Sequence, residues 1–213
     1  MLVGVGGIGC AAATYLASSG VGQVVLNDFD TVDLTNLGRQ VLFEPGDIGK
    51  GKAATAAAKL AASNPDIKLT VIDERLDATA LAAAVAAVDI VLDGSDNFPT
   101  RFMVNDACVA AGRCLVSGAA IRLEGQLAVF GPDYSESPCY RCLYNDADES
   151  LDNCAGNGVL APIPGVIGTM MAVEALKYIV GLDSPRGRLQ LYDAGDGSFH
   201  AIKVDKRPDC PSC

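Results

Sequence analysis

Gly4-Val5-Gly6-Gly7-Ile8-Gly9, overlapping a short apolar run over residues 2–6 that reads as the first strand and followed by a helical pattern over residues 8–19, decides the fold. A strand that turns through glycines into a helix gathers backbone N–H groups and the positive end of the helix dipole at one point, where a phosphate can sit. Residues 23–28, Gln-Val-Val-Leu-Asn-Asp, then read as a buried strand and complete a βαβ opening. Asp28 closes that strand about 20 residues after the glycines, where a carboxylate accepts hydrogen bonds from ribose hydroxyls. Glycines that only permit tight strand-to-helix packing are the plainer reading, and the acidic partner weighs against it.

Outward from this opening the rhythm continues: an Ala-rich helix over 52–63, a strand over 67–72, a helix over 77–86, an apolar strand over 88–93, a helix over 98–111 and a strand over 114–120. Such alternation predicts an α/β, Rossmann-like fold: a mostly parallel sheet with helices on both faces. Ligands of such sheets bind outside the carboxyl ends of the strands. Residues 125–130 read as an added strand, and 132–160 form an irregular Pro/Gly/Cys/Asp-rich stretch, of the kind that is functional or disordered. A last helix over 163–181 and two short strands, 188–193 and 198–204, lead to a cysteine-rich tail, the strands predicting C-terminal antiparallel additions. At 213 residues the expectation is one domain spanning 1–213.

The net charge of −10 repels phosphate backbones and anionic lipid, which argues against nucleic-acid or membrane partners. No stretch approaches the roughly 18–20 uninterrupted apolar residues of a membrane span. Met1 runs straight into the first strand without a basic region or a cleavable apolar segment, so the expected location is the cytoplasm.

A glycine turn with a ribose acid suits a dinucleotide as well as ATP, so the flanking polar residues carry the distinction. Asn36-Leu-Gly-Arg39-Gln40 and then Lys52 supply two cations beside the ribose position. An Arg and a Lys converging on one polyphosphate would neutralise charge that builds during phosphoryl or nucleotidyl transfer, a need that hydride transfer lacks. Asp93-Gly-Ser-Asp96-Asn97 ends the fourth strand, where a carboxylate is a natural Mg²⁺ ligand. Two plainer readings stay open: Arg39 and Lys52 as solvated surface cations, and a residue of the Asp96 loop as the N-cap of helix 98–111.

Of eight cysteines, four stand as Cys139-x-x-Cys142 and Cys210-x-x-Cys213. Each pair presents two thiolates, and together they satisfy one tetrahedral Zn²⁺ with no open position, a zinc-knuckle site that clips the tail to the loop. Disulfides or a redox dithiol are the alternative. Cys10, Cys108 and Cys114 fall within helix or strand patterns and read as packing residues; the only histidine, His200, reads as structural.

Taken together, the motifs resemble the MoeB/ThiF group of relatives of the ubiquitin-activating enzymes, over essentially the whole chain. The matching runs are Gly4-x-Gly-Gly-x-Gly9, Asp28-Phe-Asp-Thr-Val, Asn36-Leu-Gly-Arg39-Gln40, Lys52, Asp96-Asn97, Ser117-Gly-Ala-Ala-Ile-Arg-Leu-Glu-Gly-Gln126, Cys139-Tyr-Arg-Cys142 and Pro162-Ile-Pro-Gly-Val-Ile-Gly168. The run from Ser117 to Gln126 resembles molybdopterin-synthase activators more than thiazole-pathway ones. The resemblance implies an adenylyltransferase that uses ATP and Mg²⁺ to activate the C-terminal glycine carboxylate of a ubiquitin-like sulfur-carrier protein, MoaD- or ThiS-like. It implies Gly7 beside the phosphates, Asp28 on the ribose, Asn36, Arg39 and Lys52 around the phosphates, and Asp96 on Mg²⁺. It also implies a homodimer, a sulfur-donor protein and, at Cys154, a covalent link to the carrier in some members. The apolar helix around Val166, Ile167, Met170 and Val173 could pack against a second copy or against its own sheet. In the family an arm ahead of the first strand carries an arginine that reaches the partner subunit's nucleotide site. The sequence opens on that strand, so no residue matches the arm, which leaves an upstream start, a shortened chain or weaker phosphate stabilisation. Two other readings compete: a nicotinamide-dependent oxidoreductase, and a homologue that binds nucleotide or carrier without catalysis.

Overall fold

Eight strands form one sheet in the order β3-β2-β1-β4-β5-β6-β7-β8 in a computed structural model that describes residues 1–145 and 158–213. The first five, β1 (Leu2–Val3), β2 (Gln23–Asn27), β3 (Lys68–Ile72), β4 (Ile90–Asp93) and β5 (Cys114–Ile121), are parallel to one another. The antiparallel extension comprises β6 (Glu124–Phe130), β7 (Arg188–Asp193) and β8 (Ser198–Lys203). The expected α/β class, with C-terminal antiparallel strands, is therefore the observed one.

Two helical layers cover the sheet. Helices α1 (Gly7–Ser18), α2 (Lys52–Ser63) and α6 (Pro162–Ile179) bury their apolar sides with Leu2, Leu26 and Val116; α3 (Ala78–Ala86) and α4 (Phe98–Ala111) cover the other face with Val3, Val91 and Leu115. A short α5 (Tyr140–Leu143) interrupts the stretch read as irregular from sequence. Small residues set the spacing: a Cβ on Gly168 of α6 would lie 2.1 Å from the Ile8 carbonyl of α1, so only glycine permits that approach. In α4 the Asn97 side chain caps the first turn by accepting from the Thr100 N–H, Pro99 suits that turn, and Gly112 ends the helix at φ +59°.

The expected strand over residues 2–6 stops at Val3, because Gly4 takes φ +83° and donates its N–H back to the Asn27 carbonyl, bending the chain towards α1. The strand order reverses at β1, between β2 and β4, and the crevice outside their carboxyl ends is the place for a ligand. Among the described residues no helix is long and apolar enough to cross a membrane.

Candidate active site

At that crevice lies a cavity of about 550 Å³. Of the glycines singled out from sequence, Gly4, Gly6 and Gly7 line it and Gly9 does not. Gly9 serves packing: a Cβ there would come 2.0 Å from the Gly4 carbonyl oxygen. Gly6 is the N-cap of α1 and lacks a side-chain cap, so the first N–H groups of the helix face the cavity without an internal acceptor. A Cβ on Gly6 would meet only the Gln40 amide nitrogen, at 3.8 Å, which leaves room for a ligand against the backbone.

Asp28 leaves the end of β2 with its carboxylate oriented by the backbone: Oδ2 accepts the Val5 N–H at 2.7 Å and Oδ1 the Asp30 N–H at 2.9 Å. Burial outweighs these bonds and pushes its carboxyl above the ordinary 3.8. Each oxygen keeps a lone pair for a hydroxyl donor.

The cations arrive from two directions. Lys52 opens α2; its side chain is only 7% exposed, and its Nζ lies 3.0 Å from Oδ2 of the half-exposed Asp30. This rules out the reading of Lys52 as a solvated surface cation. Arg39 follows a 3₁₀ turn, Leu34–Asn36, capped by Asp33, and the Asn36 carbonyl accepts the N–H groups of both Arg39 and Gln40. That coil places Asn36, Arg39 and Gln40 on the cavity wall; Arg39 donates to the Asn36 side chain at 2.7 Å and to the Thr35 carbonyl at 3.2 Å. Gln40 is 3% exposed, and its Oε1 has no hydrogen-bond partner among the described residues; the Oγ of Ser95, also on the wall, is in the same condition. Buried polar atoms left open cost roughly 1–3 kcal/mol each, which a ligand can offset.

Across the cavity the loop after β4 presents Asp96, exposed, with Oδ1 accepting from the Asn97 side chain at 3.2 Å. Of the two candidate roles for this loop, capping of α4 falls to Asn97. Asn97 lines the cavity but commits its Oδ1 to capping α4, whereas the Asp96 carboxylate remains open to a cation. The donor set fits the groups that the family resemblance implies: the Asp96 carboxylate offers a hard oxygen that could hold Mg²⁺, and glycine N–H groups with Arg39 and Lys52 suit a polyphosphate.

Sequence reading assigns no role to Phe29, Arg75 or Arg101, all of which line the cavity. The Arg75 guanidinium stacks over the Phe29 ring at 4.3 Å, and Arg101 reaches the cavity from α4. Phe29 had one signal, its place directly after Asp28; Arg75 and Arg101 had none, because their convergence is tertiary.

A second cluster lies apart from the cavity. The Sγ atoms of Cys139, Cys142, Cys210 and Cys213 all lie within 4.8 Å of one another, with Cys139–Cys210 and Cys142–Cys213 at 3.5 Å. A tetrahedral zinc with sulfurs at about 2.3 Å would separate them by about 3.8 Å, so the group fits such an ion. Donors already point at the sulfurs: Asn105 Nδ2 lies 3.7 Å from Cys139 and the Arg207 N–H 3.4 Å from Cys142, the outer-sphere pattern that thiolate ligands favour. Cys10, Cys108 and Cys114 are fully buried, and burial pushes all three thiols up, Cys10 to about 12 and Cys114 to about 11, so they are inert packing groups. His200 stands exposed on β8, bonded to Ser198. Cys154 lies outside the described residues.

A model of the ThiF family matches residues 1–212. The chain belongs to the ThiF family. It is 43% identical over 213 residues to the sulfur carrier protein ThiS adenylyltransferase of Escherichia coli, covering 100% of this chain and 84% of that one. It is 45% identical over 214 residues to the molybdopterin-synthase adenylyltransferase of the same organism, covering 100% and 86%. The solved structure of E. coli MccB with ATP superposes with a TM-score of 0.86 at 26% identity, over 100% of this chain and 65% of that one. Family and reaction type thus agree with the motif reading, and this ThiF-family chain is an adenylyltransferase.

Proposed function

We propose that the chain uses ATP and Mg²⁺ to adenylate the C-terminal glycine carboxylate of a ubiquitin-like sulfur-carrier protein, MoaD- or ThiS-like, for sulfur transfer in molybdopterin or thiamine biosynthesis. The observation that carries this reading is the convergence of Asp28, Arg39, Lys52 and Asp96 on one cavity beside the α1 N-terminus, where Gln40 and Ser95 hold polar atoms with no partner among the described residues. Two relatives, one named for the sulfur carrier ThiS and one for molybdopterin synthase, match almost equally well, so the carrier is proposed as a class.

In this reading Asp28 accepts the ribose hydroxyls, and the N–H groups at Gly6 and Gly7, with Asn36 and Gln40, hold the phosphates. An oxygen of the carrier's carboxylate forms a bond to the α-phosphorus as the bond to pyrophosphate breaks. The carboxylate is already ionised, so no general base is needed, in keeping with an exposed His200 on a distant strand. Lys52 and Arg39 stabilise the charge that gathers on the phosphate oxygens, and the buried position of Lys52 strengthens its effect. Asp96 would hold Mg²⁺, which when bound neutralises phosphate charge. Cys139, Cys142, Cys210 and Cys213 would hold Zn²⁺ in a closed, structural shell.

A homodimer in the cytoplasm, fed by a sulfur-donor protein, completes the proposal. Its helical contact would be narrower than the sequence reading had it. Ile167 is 1% exposed because it packs over Gly125 of β6, so only the half-buried Val166 and Met170 and the exposed Val173 remain for a second copy. ATP–pyrophosphate exchange, run with and without a carrier ending in Gly-Gly, tests the function. Exchange that needs both Mg²⁺ and the carrier supports it; NAD(H) binding without exchange contradicts it.

A further inference from the structure

Arg101 is a buried cation that neither the glycine turn nor the cysteine cluster explains. It is 7% exposed, on the second turn of α4. Taking a guanidinium out of water costs several kcal/mol unless its donors are well placed, and a methionine would fill the space without that cost. The placement is specific. Nε and Nη2 both donate to the Ser95 carbonyl, at 3.2 and 2.6 Å, Nη2 lies 3.4 Å from the Gly118 carbonyl, and Nη1 donates to the Tyr140 hydroxyl at 3.3 Å.

The Ser95 carbonyl belongs to the peptide that joins Ser95 to Asp96. A forked grip on that oxygen fixes the peptide plane and with it the direction in which Asp96 leaves the backbone. The loop is held from its other side by the Asp93 carboxylate, which accepts the Ser95 N–H at 2.9 Å, and beyond Asp96 by the Asn97 cap.

Tyr140 connects this grip to the cysteines. It follows Cys139 directly, is 2% exposed, and packs its ring against Phe102, Phe130 and Tyr144. Its N–H donates to Asn105 Oδ1 at 2.8 Å, while Asn105 Nδ2 lies 3.7 Å from Cys139 Sγ. One turn of α4, from Arg101 to Asn105, therefore touches the Asp96 loop at one end and a cysteine of the cluster at the other.

We propose that Arg101 is a positioning residue for Asp96, and that Tyr140 ties it to the cysteine cluster, so that order in the cluster sets the cation affinity of the nucleotide cavity. The inference rests on the assignment of Asp96 as the cation ligand. The cluster thereby does more than clip the tail: it holds one end of the strut that aims the carboxylate.

The test is the affinity of the protein for Mn²⁺ in the presence of a non-hydrolysable ATP analogue, read by electron paramagnetic resonance, with thermal melting and sulfur-bound metal content measured alongside. Arg101→Met is expected to weaken Mn²⁺ binding about ten-fold, and Tyr140→Phe about three-fold, the latter with cluster metal and melting temperature unchanged. Cys213→Ser is expected to weaken Mn²⁺ binding in the parent chain and to add less than its own effect in the Tyr140→Phe background, because both changes cut one path. Full additivity, or Mn²⁺ affinity unmoved by Tyr140→Phe and Arg101→Met while Asp96→Ala abolishes it, overturns the coupling and leaves the proposed function standing. An Asp96→Ala variant that binds Mn²⁺ like the parent overturns the cation assignment itself, and this inference with it.

Discussion

The strand-end cavity and the cysteine cluster flank the same helix, α4, and are built on opposite plans. At the cavity, buried groups keep unspent capacity: among the described residues Gln40 Oε1 and Ser95 Oγ lack partners, the N–H groups at the start of α1 lack a side-chain cap, and Lys52 pairs with an aspartate that is itself half in water. At the cluster, four sulfurs face one another and receive N–H groups from Asn105 and Arg207. The difference teaches where a ligand turns over and where one stays. On the proposed reading, incomplete polar pairing at the strand-end crevice would be finished by a substrate that leaves, whereas the closed set of soft ligands would hold an ion that remains.

The comparison breaks first at Lys52. Lys52→Ala should lower ATP–pyrophosphate exchange by about 100-fold or more, the scale seen when one transition-state charge donor is lost, while sulfur-bound metal and melting temperature stay unchanged. Equal loss of fold and activity would mean that the buried lysine is structural.

Cys139→Ser should invert that pattern. Metal content falls, and the melting temperature drops on the order of 10 °C, as several kcal/mol do in a chain of this size. A variant with parental metal content would remove the cysteines from the ligand role.

Acidification gives a smaller effect that sharpens the same contrast. Burial raises the Asp28 carboxyl above 3.8, so as pH falls it takes up a proton before exposed aspartates do and loses acceptor capacity for the ribose. Adenosine affinity should therefore fall with pH in the parent chain and stay flat in Asp28→Asn. Parallel pH profiles, followed by equilibrium dialysis, would separate Asp28 from the ribose.

Most of the fold was legible because its signals are local. The Ala-rich run at 52–63 and the span 98–111, with Asn97 before it and Gly112 after it, coincide with α2 and α4, since cap chemistry and helix propensity act over a few residues. The first strand was read too long because apolar Val5 continues the pattern, while the positive φ of Gly4 ends the pairing. Within the site, the residues at strand ends and turns were legible from motif spacing: Asp28, Asn36, Arg39, Gln40, Lys52 and Asp96 all reach the cavity. Gly9 was read as a ligand contact and is a packing residue, for the motif does not say which glycine meets a helix and which meets a phosphate. Asp30, which holds Lys52, and the pair Phe29–Arg75 lay beyond sequence reading, because such contacts arise only when β2, α2 and the segment after β3 are brought together.

A triphosphate, not a dinucleotide, is proposed to complete the cavity. Crystals grown with ATP and Mg²⁺ test it most directly. The expected density has the phosphates against Gly6 and Gly7 with Arg39 and Lys52 in contact, the ribose on Asp28 and the cation on Asp96. Phosphates elsewhere, with Lys52 still bound to Asp30 and Asp96 in solvent, would contradict it.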